Sequence, residues 1–380
     1  MNLKSYLYAL QFRVRQRLIA RSYKLRKADG TGDRPELKDP EKILFVLTGL
    51  IGDSIMSMPA IKESRRLWPN AHIVVLGKKH NHDLLAASTF VDEFIVSDAD
   101  PLSVRRADEI ADLQKRIERG RFDTAVILLG DHYARLLADA KIPVRIGVAG
   151  TLLEPFLTHI YDIGSARTWS INERLNSIRL LSPNVKPGAP EVRIGAKDQD
   201  AALKKLQDLG LRSGERYAVL HPYGSTPRQW WDIENVEPLA RHLAEKQALR
   251  CVVVGKSYDL NGVEVEPELP SDISSGIINT IGRLSLPELM AAIDNADLTI
   301  STDSGPFHIA GAMGKPVIGL FRSSRPEHAG AYKTATTLLG TDENCAGNCS
   351  WDHCRTVPCR QMQNIDVKDV IETVDEILSK

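Results

Sequence analysis

Neither sign of charge prevails in this 380-residue chain, where 49 Lys and Arg stand against 49 Asp and Glu. That balance lacks the basic excess on which general nucleic-acid binding relies. A P-loop is missing too, because no Gly-Lys-Ser/Thr follows a strand at the required spacing, and so is G-x-G-x-x-G, which disfavours a nicotinamide oxidoreductase. Cysteine is scarce, five in all. Cys251 lies mid-strand and reads as a buried small apolar residue. Cys345, Cys349, Cys354 and Cys359 crowd together as C-x3-C-x4-C-x4-C. The spacing fits no zinc finger and His353 complicates the ligand set. Free or partly buried thiols are the reading taken, with metal ligation and disulfides as the alternatives.

Charge is unevenly placed. Residues 1–27 carry eight Lys/Arg and no Asp/Glu, which leaves 41 basic against 49 acidic residues in the rest of the chain. Leu3, Leu7, Leu10, Val14 and Leu18 recur at helical spacing while Lys4, Arg13, Arg15, Arg17, Arg21 and Lys24 fill other faces, which predicts a basic amphipathic helix. Charge interrupts it too often for a signal peptide or a transmembrane span. Such a helix suits an anionic membrane surface, at about 1 kcal/mol per nearby Lys or Arg; packing on the protein body is the alternative. Residues 28–40, with Gly30, Gly32, Pro35 and Pro40, read as a flexible linker.

From Glu41 onward short apolar strands alternate with helices. Strands are expected at 43–47, 73–76, 93–96 and 124–129, with helices at 54–67 and 106–119, which spells a doubly wound parallel sheet. Pro59 predicts a late start or a kink in the first helix. Three prolines between Ser182 and Pro190 mark a linker. Beyond it the pattern repeats, with strands at 217–221, 250–254, 277–279, 297–301 and 316–321. The expected division is 1–40, 41–185, 190–345 and 346–380, and the chain is long enough for two domains with separate cores.

Three segments carry chemistry. In Ile300-Ser-Thr-Asp-Ser-Gly-Pro-Phe-His-Ile-Ala310 a strand turns directly into a helix: Asp303 or Ser304 is placed to cap, Gly305 frees the backbone, and Pro306 suits the helix start. Backbone N–H groups and the helix dipole can then hold phosphate oxygens near Thr302 and His308. An ordinary capped helix would have the same sequence. In Val219-Leu-His-Pro-Tyr-Gly-Ser-Thr-Pro-Arg-Gln-Trp-Trp231 a second strand opens into a polar loop, where Gly224, Ser225, Thr226 and Arg228 suit a diphosphate. A solvated Arg228 and core tryptophans are the plainer reading. In Gly49-Leu-Ile-Gly-Asp-Ser-Ile-Met-Ser-Met-Pro-Ala-Ile61 a third strand end presents Gly52 and Asp53, the latter equally suited to an N-cap.

Together these segments, in this order over roughly residues 42–335, resemble glycosyltransferase family 9, the lipopolysaccharide core heptosyltransferases. The resemblance implies a GT-B fold, in which two Rossmann-like domains with parallel sheets face each other across a cleft and the last helix, near 367–378, crosses back. It implies a nucleotide-sugar donor, ADP-heptose, on the C-terminal half and a glycolipid acceptor on the N-terminal half. A lipid acceptor agrees with docking on the cytoplasmic face of the inner membrane. Asp53 falls on the family's catalytic carboxylate, with Arg228 and the Asp303, Ser304, Gly305 and His308 motif at the leaving diphosphate. Asp259 and Leu284 are candidates for ribose and adenine. Lys78, Lys79, His80, His82, His132, Tyr133 and Arg135 are candidates for an acidic acceptor. With no Asp-x-Asp in either loop, the expectation is inversion at the anomeric carbon without cofactor or divalent metal. Ser54 and the Leu320-Phe-Arg-Ser-Ser-Arg325 turn depart from the family pattern, so another nucleotide sugar, or a non-catalytic nucleotide- or glycan-binding module, is the alternative.

Overall fold

A computed structural model describes residues 35–102, 106–162, 170–186, 188–224, 226–260, 263–265, 267, 269, 276–322, 329, 332–342 and 359–379. The basic segment 1–27, most of the 28–40 linker, Ser225, Cys345, Cys349 and Cys354 lie outside the described residues. The chain divides into two compact units, Met1–Glu191 and Val192–Lys380.

The first unit runs β1 (Lys42–Leu47), α1 (Ile51–Leu67), β2 (His72–Gly77), α2 (Lys79–Leu85), β3 (Glu93–Val96), α3 (Ala107–Gly120), β4 (Thr124–Leu129), α4 (Ala134–Asp139), β5 (Val144–Val148), β6 (His159–Tyr161) and α5 (Ser170–Arg179). Its sheet has the order β3-β2-β1-β4-β5-β6, with every neighbouring pair parallel. Central β1 is apolar throughout after Lys42 and buried from Ile43 to Leu47, as a parallel strand covered on both faces must be. The chain leaves β1 toward β2 and β3, then returns to β4 on the other side. The sheet therefore reverses between β1 and β4, and ligands of doubly wound sheets bind beyond the carboxyl ends of such strands.

Helix α1 corrects the expectation of a late start. It begins at Ile51 and carries Pro59 inside it. Pro59 deprives one carbonyl of its usual N–H partner. The helix nevertheless continues, its residues Ser54 to Ile61 all buried, because packing outweighs one lost hydrogen bond. The proline-rich segment before Val192 is fastened to the same helix. Glu63 Oε1 accepts from Lys186 N at 2.6 Å, Arg66 donates to the Asn184 carbonyl at 2.8 Å, and Lys62 pairs with Glu191.

The second unit runs α6 (Ala196–Asp208), β7 (Tyr217–His221), α7 (Val236–Gln247), β8 (Arg250–Val253), a hairpin of β9 (Tyr258–Leu260) and β10 (Val263–Val265), β11 (Ile277–Asn279), α8 (Leu286–Asp294), β12 (Leu298–Thr302), α9 (Gly305–Met313), β13 (Val317–Phe321), β14 (Ala335–Leu339), α10 (Arg360–Gln363) and α11 (Val367–Leu378). Its main sheet, β11-β8-β7-β12-β13-β14, is again parallel throughout and reverses between β7 and β12. Two Rossmann-like units with parallel sheets are the GT-B fold class that the sequence predicts. The last helix buries Val370 and Val374 in the core of the second unit, beside Cys251 and Cys359. Both cysteines are buried and unbridged, and burial pushes the Cys251 thiol up to about 12, so it packs as a small apolar group.

Candidate active site

In the first unit the reversal point gathers the loops after β1 and β4. Strand β4 carries an irregularity: Val46 faces Ile127 while Leu47 faces Leu129, so Leu128 has no partner across the ladder. Thr48 bridges both ends, its N–H and hydroxyl each meeting the Leu129 carbonyl at 3.2 Å. Gly49 leaves room there for Leu129, whose Cδ1 would lie 2.4 Å from a Cβ and would have to move. The Gly49 carbonyl accepts from Asn81 Nδ2 at 3.1 Å and meets His80 Nε2 at 2.8 Å. Asn81 Nδ2 also donates to Ser54 Oγ at 2.8 Å. Ser54 is thus a buried clip between α1 and α2.

Asp53 corrects its expected capping role. The N-cap is Leu50, 65% exposed, with no side-chain cap, and Asp53 sits inside the first turn of α1. A carboxylate there still benefits from the helix dipole. Its side chain remains 42% exposed, and Arg174 Nη2 approaches Oδ1 to 3.6 Å. Arg174 is the residue that sequence reasoning missed. It projects from α5, and its Nη1 donates at 2.9 Å to the Leu128 carbonyl that the irregularity in β4 leaves over. Its charge also reaches Tyr161, whose hydroxyl donates to the Ile127 carbonyl at 3.4 Å. Burial raises Tyr161 to about 12 despite that cation, so it stays a neutral phenol. Nothing in the sequence ties position 174 to position 53, since the link is made only by α5 packing on α1.

The other acceptor candidates separate. His132 lies in the turn after β4 (Asp131–Tyr133), close enough to Lys78 and Asp100 to feel both charges, but burial dominates and lowers its pKa, which favours a neutral ring. Tyr133 is a core side chain, 1% exposed, its hydroxyl donating to the Ala99 carbonyl at 2.6 Å. Arg135 is exposed and pairs with Asp139 at 3.1 Å, one turn along α4. Lys79 and His82 both pair with Asp83, and His82 stacks edge-on against Phe94.

In the second unit the reversal point gathers the loop after β7 and the start of α9. Three hydrogen bonds join these segments. Thr302 Oγ1 donates to the Tyr223 carbonyl at 2.5 Å, Gln229 Nε2 donates to the Asp303 carbonyl at 2.9 Å, and Ser304 Oγ meets His221 Nδ1 at 2.9 Å. Gly224 lets the loop fold tightly, because a Cβ would fall 2.2 Å from Gln229 Cβ. Thr226 Oγ1 is buried with no hydrogen-bond partner among the described residues, which leaves the hydroxyl able to donate to a bound group or to water. Arg228 is half-buried in the turn Pro227–Gln229. Trp231 is the core tryptophan expected, donating to the Ile365 carbonyl at 2.9 Å.

Ser304 occupies the N-cap of α9, Gly305 opens the helix and Pro306 follows, yet the serine makes no capping bond. His308, 4% exposed, meets the Tyr332 hydroxyl through Nδ1 at 3.0 Å and lies 3.7 Å from Asp303 through Nε2. His308 is thus held by Tyr332 and stands beside Asp303. Leu284 is half-buried just before Ser285, the capping residue of α8. Asp259 lies in β9 opposite Glu264.

Two sheets reversing at their first and fourth strands, with glycine-bearing loops there, call for comparison with known proteins. Residues 110–356 match the model of glycosyltransferase family 9 (heptosyltransferase). The chain belongs to glycosyltransferase family 9. The lipopolysaccharide heptosyltransferase 3 of Escherichia coli is 31% identical to this glycosyltransferase over 283 residues, covering 71% of this chain and 80% of the relative. Among solved structures, the family 9 glycosyltransferase of Veillonella parvula superposes with a TM-score of 0.75 at 20% identity, covering 91% of this chain and 99% of that one. The E. coli ADP-heptose lipopolysaccharide heptosyltransferase II gives 0.71 at 18% identity, covering 89% and 98%. These likenesses agree with the GT-B fold, and the enzyme is a glycosyltransferase. The Asp53 loop precedes the segment matched by the family model.

Proposed function

We propose that this glycosyltransferase moves a heptose from ADP-heptose to a lipopolysaccharide core or related glycolipid acceptor, with inversion at the anomeric carbon. The names of its relatives support the sugar and acceptor class. The observation that carries the chemistry is Asp53, an accessible carboxylate at the reversal point of the first unit with Arg174 beside it. In this reading Asp53 takes the proton of the acceptor hydroxyl as the oxygen attacks the anomeric carbon. The nucleoside diphosphate leaves from the opposite face. Gly52 and His132 border the acceptor, His132 as a neutral hydrogen-bonding ring.

The leaving diphosphate gains charge in the transition state. Arg228, the Thr226 hydroxyl, Ser225 and the first N–H groups of α9 would stabilise it. Asp303 and His308 hold that turn in place, while Asp259 and the backbone at Leu284 are proposed for ribose and adenine. No step calls on a divalent metal. A screen of ADP-heptose and common nucleotide sugars by product mass tests the reading, run with and without a chelator. ADP-heptose should give product at unchanged rate in chelator. Nucleotide binding without turnover on any acceptor would favour the alternative of a non-catalytic binding module.

Among the described residues no helix is long and apolar enough to cross a membrane. We propose from sequence that residues 1–27 bring the enzyme to an anionic membrane surface, where a lipid acceptor resides.

A further inference from the structure

His221 ends β7 and is 7% exposed. Burial pushes it down to about 3, so the ring is a neutral imidazole. A buried neutral ring needs partners for its nitrogens. Its Nδ1 lies 2.9 Å from Ser304 Oγ. Serine at an N-cap ordinarily accepts from the second or third N–H of its helix. The second residue of α9 is Pro306, which has no N–H, so Phe307 is the one donor that such a cap could take. Ser304 does not take it. Its hydroxyl is shared among His221, Ser301 Oγ at 3.1 Å and the Thr302 carbonyl at 3.1 Å.

We propose that His221 is a positioning residue of the donor site, holding the Ser304 hydroxyl away from the start of α9 so that the N–H groups of Gly305 and Phe307 remain for the donor diphosphate. The inference rests on the donor-site reading above and adds the residue that keeps the site open. Without His221, Ser304 turns to cap Phe307, and the phosphate meets a helix end already satisfied. Sequence reading passed over His221 because a histidine at the end of an apolar strand reads as core, and its partner lies 83 residues away.

The test is calorimetric titration of ADP into the wild type, His221→Leu, Ser304→Ala, the double variant and Arg228→Ala. His221→Leu should weaken ADP by about tenfold, the scale of a lost hydrogen bond to a charged group. In the Ser304→Ala background the same change should cost less than about twofold, because no hydroxyl is left to misplace. His221→Asn, which keeps a polar group facing Ser304, should recover most of the loss. A merely structural histidine would cost the same in both backgrounds, and that result, or no loss in either, overturns the proposal. Should the leucine variant not fold, His221→Phe, with a ring of similar shape, carries the same comparison. Arg228→Ala separates the two levels. Undiminished ADP affinity in that variant would count against the donor site itself, whereas a loss there beside an unchanged His221→Leu would sink only the role of His221.

Discussion

A half-exposed carboxylate in the first turn of a helix, with a guanidinium 3.6 Å away, can be oriented without being tied up. Asp53→Ala should therefore lower kcat by about 100-fold or more while donor affinity stays near wild type, read from steady-state rates beside ADP titration. A near-normal kcat would remove Asp53 from the role of base. Arg174 touches Asp53 from an element that the sequence does not connect to it, and the Leu128 carbonyl fixes its fork. Arg174→Gln should lower kcat by about tenfold with unchanged ADP affinity, and Arg174→Lys should recover part of it. If Arg174→Gln instead raises KM for the acceptor alone, the guanidinium contacts substrate and does not orient the base.

At the scale of elements, the strands beside the site were legible because parallel strands buried on both faces are continuous apolar runs, as Thr124–Leu129 and Tyr217–His221 are; the partly exposed edge strands Glu93–Val96 and Ile277–Asn279 also stand where the residue pattern puts them. The start of α1 was not legible. Pro59 argues for a break by local rules, and only burial of the surrounding turns overrides it. Strand order was equally hidden, since the neighbour of β1 across the reversal point begins at Thr124 and no local signal pairs them. The loop glycines could be read as permissive, but not what they clear. Gly224→Ala would set a Cβ against Gln229 Cβ, which moves that side chain off the Asp303 carbonyl. About 1–3 kcal/mol of stability should be lost in chemical denaturation, together with ADP affinity. An unchanged denaturation midpoint would show that the loop gives way freely.

For the molecule as a whole, His221 and His132 are both lowered by burial, so the unfolded chain binds more protons than the folded one below the usual histidine value. Their contribution to stability is complete above pH about 6.5 and is lost as the pH falls from there toward their folded values. Glu63, held down by Arg66, and Asp375, held down by His242, add a second loss at more acidic pH, below the usual carboxylate range. Urea midpoints from pH 7.5 to 4.5 should fall for the wild type and fall less for His221→Asn. Parallel curves would mean that His221 does not carry the dependence. The N-terminal charge gives another expectation at this scale. Deleting residues 1–27 should abolish salt-sensitive co-sedimentation with anionic vesicles while leaving turnover of a short soluble acceptor intact. Sedimentation that is the same with and without the segment would assign the membrane contact elsewhere.

The three hydrogen bonds that join the loop after β7 to the turn before α9 have a thermodynamic consequence. Segments already fixed to one another have little conformational freedom left to surrender, so a nucleotide that docks on them meets most of its entropic cost in its own immobilisation. ADP association should then show the modest negative heat-capacity change of a preformed polar surface, without the large ordering signature of coupled folding. Loosening any one of the three should make the binding entropy less favourable before it alters the enthalpy of phosphate contact.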